Sequence, residues 1–386
     1  MAVVVLGAIF TAAVVVVPSL SYVNLLYLDQ QQLRNVALSA LKTILFDEGY
    51  PANWGSMADL NQFNENNVKR FGLALLSDPS FYVLDSDKVQ RLSSGNPMGS
   101  MSYAKMKELL GLSGYDFSIT MRPIFKVDKS VDITRSQDEK TASINFEANV
   151  SRYDGQPIPN AVVRASIIYA VDKNPPETKT LEVITQTDSL GRCQGSQTVS
   201  GGSGEKIKDV IVIFRVTVAD RATIVVSSQD TQDPNNLAKI NIVGDNIILT
   251  IPKNMTEEEK QKANDNSQDA RWITNIMMYN FETSTNLVNG SRSNEYKLTY
   301  GQGYGVWNQS FPGLSYSEPG VLIFTFDTVI GGRTLALLVG PYALWSKGGV
   351  IEFNPVPSSS GASVSVQRDV IIAGMAYVVE LRLWKT

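Results

Sequence analysis

Histidine is absent from the 386 residues, and cysteine occurs once, at Cys193. Without an imidazole there is no Ser-His-Asp or Cys-His nucleophilic relay, no histidine zinc site and no attached c-type haem. A single cysteine closes no internal disulfide, so stability has to come from packed cores. Long charged tracts are missing too: the longest run of one sign is the three acids of "EEEK", and the net charge is −4. A nucleic-acid partner normally requires a basic surplus or stripe, and none is present. Two-carboxylate chemistry stays open among 38 Asp and Glu, although no acidic pair stands out.

The most informative absence is at the start. The stretch "MAVVVLGAIFTAAVVVVPSLSYVNLLYLDQQQLRNVALSALKTILF" has no charged side chain before Asp29. About 20 apolar residues suffice to cross a bilayer as a helix, so residues 2–28 are long enough. No basic n-region precedes the run, and it exceeds a secretory apolar core in length, which argues against a removed signal peptide. Beyond Asp29, Leu33, Val36, Ala37, Ala40, Leu41, Ile44 and Leu45 recur in steps of three and four, an apolar stripe on a polar helix. Read as one helix, residues 2–46 would extend about 68 Å. Pro18 is the expected kink, since it has no N–H to bond back to Val14. Such a rod, greasy all round and then on one side only, suits a subunit stored in a membrane and later packed with copies of itself. It equally suits a simple anchor.

Residues 47–130 read as a small mixed segment capping the rod. "SYAKMKELLGL" is a short helix with Ser102 as N-cap and Gly111 near its end. "YDFSITMRPIF" follows as a strand, with Phe117, Ile119 and Met121 on one face. From 131 to 229 the pattern is β throughout, with alternating runs and turns at Asp154-Gly155 and Asp188–Gly191, as in an Ig-like sandwich. "DTQDPNN" at 230–236 reads as a linker. A third, β-rich region covers 237–386 and ends on a strand in which Val379, Leu381 and Leu383 alternate with Glu380 and Arg382. The expected fold is α+β, mainly β: a long N-terminal hydrophobic α-helix followed by Ig-like β-sandwich domains.

Two stretches carry a resemblance to known families. The rod followed by "GYPANWG", "FGLALL", "YVLDSDKVQRL" and "LLGLSGYDFSI" resembles the N-terminal part of archaeal type IV pilin-like proteins, over residues 1 to about 125. In that family a hydrophobic helix precedes a β-rich head, and the helices pack as a filament core. The family is made with a short basic leader removed by a dedicated peptidase. None precedes Ala2, which implies a mature chain or an incomplete start. The glutamate that bacterial pilins carry near the mature N-terminus has no counterpart before Glu48, as in many archaeal members. "YDGQPIPNAVVRASI" with "TQTDSLGRCQG" resembles the Ig-like or carboxypeptidase-regulatory-like modules of cell-surface proteins, over about 135–228. Such modules space, stiffen and bind.

The function expected is therefore that of a structural subunit of an extracellular filament, polymerising through its N-terminal segment, with outer β domains for adhesion or stiffness. The core residues would be Val3, Val4, Val5, Leu6, Ile9, Phe10, Val14 and Val17. Partners would be other copies in a helical homopolymer, the membrane before assembly, and surface glycans. The resemblance further implies an assembly ATPase and a platform protein. The alternative is a membrane-anchored surface binding protein that stays monomeric; a carboxylate-based surface hydrolase ranks third. No cofactor is expected, nor any catalytic or metal residue.

Other features each have a bland reading and a functional one. The Asn-X-Ser/Thr sequons at Asn149, Asn254, Asn289 and Asn308, expected in loops or at strand edges, are N-glycan acceptors or merely polar residues. The loop around Asp265, Asn266 and Asp269 is oxygen-rich like a calcium site, but lacks the ligand spacing of one. Tyr296, Tyr300, Tyr304, Trp307, Phe311 and Tyr316 could stack on sugars, or fill a core or interface. Cys193 reads as a small buried filler.

Overall fold

The computed structural model describes residues 29–56, 63–75, 82–93, 99–173, 176–202, 204–228, 239–250, 271–281, 283–289, 306–311, 320–328, 334–340, 349–354 and 363–386. Over these residues the protein is mainly β, with its strands in five sheets.

The expected long apolar helix requires correction. The described helix α1 runs over residues 29–46, about 27 Å by its rise per residue. It is amphipathic rather than apolar all round, and no helix among the described residues is long and apolar enough to cross a membrane. The other α-helices among the described residues are short: α2 (Ser86–Gln90) and α3 (Tyr103–Leu109). Spacing in threes and fours specifies a stripe, not a rod, and here the stripe serves to lay one helix on a β protein. Val3, Val4, Val5, Leu6, Ile9, Phe10, Val14, Val17 and the expected kink at Pro18 all lie outside the described residues.

The sheet beneath α1 joins distant parts of the chain. Its order is β1 (Val83–Leu84), β18 (Ser363–Ile372), β19 (Met375–Lys385), β2 (Tyr115–Pro123) and β17 (Ile351–Phe353). β19 runs antiparallel to β2 from Tyr377↔Pro123 to Lys385↔Tyr115. Alternation puts Phe117, Ile119 and Met121 of β2, with Val379, Leu381 and Leu383 of β19, into the buried cluster that also takes the α1 stripe. α3 starts where expected: Ser102 Oγ accepts the Lys105 N–H, and Gly111 follows with positive φ.

Between β2 and β17 the chain makes a seven-stranded sandwich. β3 (Lys126–Arg135), β4 (Thr141–Ser151) and β7 (Arg192–Ser200) form one sheet. β6 (Glu177–Gln186), β5 (Val162–Asp172), β8 (Lys206–Val218) and β9 (Arg221–Ser228) form the other. The crossing of β7 back to β4 is a Greek-key return, as in Ig-like folds. Phe146 and Phe214 meet edge to face inside it, at 5.6 Å between ring centroids.

The four-stranded sheet is covered on both faces. Val163 and Ile167 of β5 belong to the sandwich core, while Ile168 and Ala170 join the cluster containing Met277, Tyr279 and Ile323. Met277 and Tyr279 lie on β12 (Arg271–Tyr279) and Ile323 on β15 (Val321–Thr328). Those strands belong to the sheet β13 (Ser284–Asn289), β12, β15 and β16 (Thr334–Gly340). A fifth sheet, β10 (Lys239–Val243), β11 (Asn246–Thr250) and β14 (Val306–Ser310), shares a further core with it through Ile240, Ile242, Ile273 and Ile276.

Candidate functional site

The base of the head is where the uncharged N-terminal sequence joins the described fold. Leu33, Ala37, Ala40, Leu41, Ile44 and Leu45 of α1 are each at most 6% exposed. Residues 29–32, 34 and 35 are exposed, so the first turn makes little contact with the head and the docking stripe starts at Leu33. Asp29 meets the far end of the chain there, its Oδ1 3.2 Å from Lys385 Nζ.

The other end of α1 is tied by backbone. Leu73 N–H donates to Ile44 O at 2.8 Å, and Ala74 N–H to Asp47 O at 3.0 Å. This close approach needs Gly72, where a Cβ would collide with the Asp47 carbonyl. Asp47 Oδ1 accepts from Gly49 N–H and Arg70 Nε, and Trp54 Nε1, fully buried, donates to Gly72 O. On the facing side Tyr103 donates to Asp116 at 2.7 Å and Lys107 Nζ approaches the same oxygen at 2.6 Å. Lys107, then Tyr103, hold the Asp116 carboxyl below its ordinary value; burial and Asp116 push the Tyr103 phenol up to about 12. These polar contacts hold α1 and β2 in place.

A buried polar knot on α2 was missed in the sequence, because "DSDKVQR" looks like a solvated turn. Lys88 and Arg91 are fully buried. Lys88 Nζ donates to Ala74 O at 2.9 Å and lies 3.4 Å from Asp85 Oδ2. Arg91 donates to Gly55 O and Gly99 O and lies 4.7 Å over the Phe63 ring. Asp87 Oδ2 accepts the Gly244 N–H at 2.8 Å, and Gln90 donates to Ile242 O. Burial, then the nearby Asp85, push the Asp87 carboxyl up to about 7; burial lowers the Arg91 guanidinium to about 10. The only sequence signal is the glycines: a Cβ at Gly55 would strike Lys88, as close packing over a buried ammonium requires.

The remaining sequence candidates are scattered. Asn149 lies on β4, the central strand of its sheet, half-buried on the outer face. Asn289 ends the edge strand β13 and Asn308 sits in the edge strand β14. Asn254, the Asp265–Asp269 loop, the "DTQDPNN" linker, Tyr296, Tyr300, Tyr304 and Tyr316 lie outside the described residues. Phe311 packs half-buried on the distal core. Cys193 is buried, and desolvation raises its thiol, so it carries no activated thiolate. Among the described residues no group of three or more Cys, Asp or Glu could hold a metal ion.

No family model matches the chain, and no curated protein matches it. Among solved structures it is similar to the crystal structure of red sea bream transglutaminase, at 10% identity and a TM-score of 0.18. The match covers 63% of this chain and 34% of that one, so the chain spans about a third of the length of the transglutaminase. At that TM-score the likeness carries no argument about fold or chemistry.

Proposed function

We propose that this chain is a structural subunit of an extracellular, type IV pilin-like filament, held together by packing among the uncharged N-terminal segments of its copies. The observation that carries this reading is the construction of the base. A helix with one docked stripe, its exposed first turn touching the head through Asp29 and Lys385, connects that segment directly to a head whose base is fixed by the backbone and side-chain contacts around Asp47 and Asp116. Residues 2–28 form the only stretch of this length in the chain without a charge. Before assembly they would sit in the membrane. Against lipid the hydrophobic gain is small, so close packing has to supply the contrast and an assembly ATPase with its platform protein would drive extraction. Surface glycans are the proposed contacts of the outer domains.

Material sheared from the cell surface, imaged by electron microscopy and sequenced by mass spectrometry, tests the proposal. Uniform filaments of this chain are expected, and Val5→Asp or Ile9→Asp should abolish them while the head stays folded, since a carboxylate cannot be buried unpaired. Normal filaments from both variants, or a protein found only as a detergent-extracted monomer, would overturn it.

A further inference from the structure

The two sheets of the sandwich differ sharply on their outer faces. That of β6-β5-β8-β9 is mixed and largely covered by the distal domain, which packs on Ile168, Ala170, Ile211, Ile213 and Ile224 and bonds Ser166, Glu182 and Arg164. That of β3-β4-β7 is uncovered among the described residues, and its register stacks four rungs of three outward side chains. From one end these are Asp128–Asn149–Arg192, Ser130–Glu147–Gln194, Asp132–Asn145–Ser196 and Thr134–Ser143–Thr198. Every position is a hydrogen-bonding group and none is aliphatic or aromatic; the cations lie at one end, Arg192 on the end rung and Lys126 just beyond it, paired to Asp128 at 2.8 Å.

The two middle rungs line a depression of about 510 Å³. Its floor is Phe146, which folds under Gly195; any side chain at 195 would collide with the ring. The array measures ~10 Å across the three strands and ~7 Å along them. It offers two carboxylates, two carboxamides and two hydroxyls. Ser196 donates to Asn145 Oδ1 at 2.7 Å, which fixes the orientation of that amide. Serine and asparagine lose little rotamer freedom when a ligand holds them, whereas Glu147 and Gln194 lose more.

We infer that this depression is a binding site for a neutral saccharide. The charge pattern selects the class. Two carboxylates with no cation between them repel phosphate, sulfate and uronic acids, and the lack of an apolar rim gives nothing to a hydrophobic peptide. A neutral sugar supplies many hydroxyl donors to acceptor-only carboxylates, and its remaining oxygens accept from Asn145, Gln194 and Ser130. The inference rests on the head being displayed outside the cell, but not on the chain forming a filament.

Saturation-transfer NMR on the detergent-solubilised full chain tests it, with cello-, malto-, manno- and chito-hexaose as neutral probes and a heparin hexasaccharide as the anionic one. Transfer to at least one neutral probe is expected. Asn145→Ala with Gln194→Ala should weaken it about tenfold, from the loss of two or more neutral hydrogen bonds. Ser143→Ala, one rung away, should leave it within about twofold. No transfer to any neutral probe, transfer to heparin alone, or binding indifferent to the double variant would each overturn the assignment. Calcium added without sugar should leave the resonances of the site unmoved; a calcium-dependent shift abolished by Asp132→Asn would make it a cation site instead. Filaments without sugar binding would sink this inference alone, and sugar binding without filaments would sink only the filament.

Discussion

The Tyr279 hydroxyl donates to Glu182 Oε1 at 2.5 Å and accepts from Ser166 Oγ at 2.8 Å, joining β12 to both β5 and β6. Arg164 completes the contact, reaching the Phe281 carbonyl while 3.7 Å from Glu182. Burial, then the Glu182 carboxylate, raise the phenol above its ordinary range, so it stays protonated at any physiological pH. The sandwich and the distal sheet are welded by a polar network inside an apolar interface.

Tyr279→Phe should therefore cost about 1–3 kcal/mol, because it strands the buried Ser166 hydroxyl as well as losing the bond itself. Urea denaturation followed at two wavelengths checks this. A variant that unfolds in two separated steps would show that the weld couples the domains; unchanged stability would show that it does not.

The α1 stripe makes a second expectation. Leu41 is 2% exposed, and Leu41→Ala should destabilise the head by about 2–5 kcal/mol through lost burial and the cavity left behind. Ser39→Ala, on the exposed side of the same helix, should change it by less than about 0.5 kcal/mol. Equal effects at both positions would mean that α1 is not docked as described.

Asp87 gives the pH dependence. Its carboxyl titrates near 7 in the folded chain, against 3.8 unfolded, so between those values the native state binds more protons. Its contribution to stability is fully present below about 4 and is lost as pH rises through 7. Asp87→Asn keeps an acceptor for Gly244 N–H and removes the charge. The variant should lose less stability than the parent between pH 5 and pH 8, measured by denaturation at both values. A parent no weaker at pH 8 than at pH 5 would argue against the buried carboxyl.

Much of this was legible where local chemistry decides the outcome. At the Asp188–Gly191 turn, aspartate accepts from Leu190 and Arg192 N–H while Gly191 takes φ of 74°, as that dipeptide chemistry demands. The burial of β4 alternates as its sequence does. β5 departs from alternation: Ala165–Val171 is buried throughout, because a second sheet covers its other face. The unbroken run "IIYAV" carried that information, for strands buried on both sides lose their period. The α2 knot was illegible, since its ammonium and guanidinium are satisfied by carbonyls from residues 55, 74 and 99, which no spacing announces. The polar rungs were hidden for a related reason: each strand looks like ordinary solvated β, and only register aligns them.

The pairing of β19 with β2 has a consequence for the order of synthesis. β2 leaves the ribosome more than two hundred residues before its partner, and its other neighbour, β17, also comes late. The sandwich between them contains all its own strands and can fold while translation continues. The sheet under α1 cannot close until the last strand has emerged. An incomplete chain would present a finished middle and an unfinished base, so the surface that positions the N-terminal segment forms last and only on a chain made through to β19.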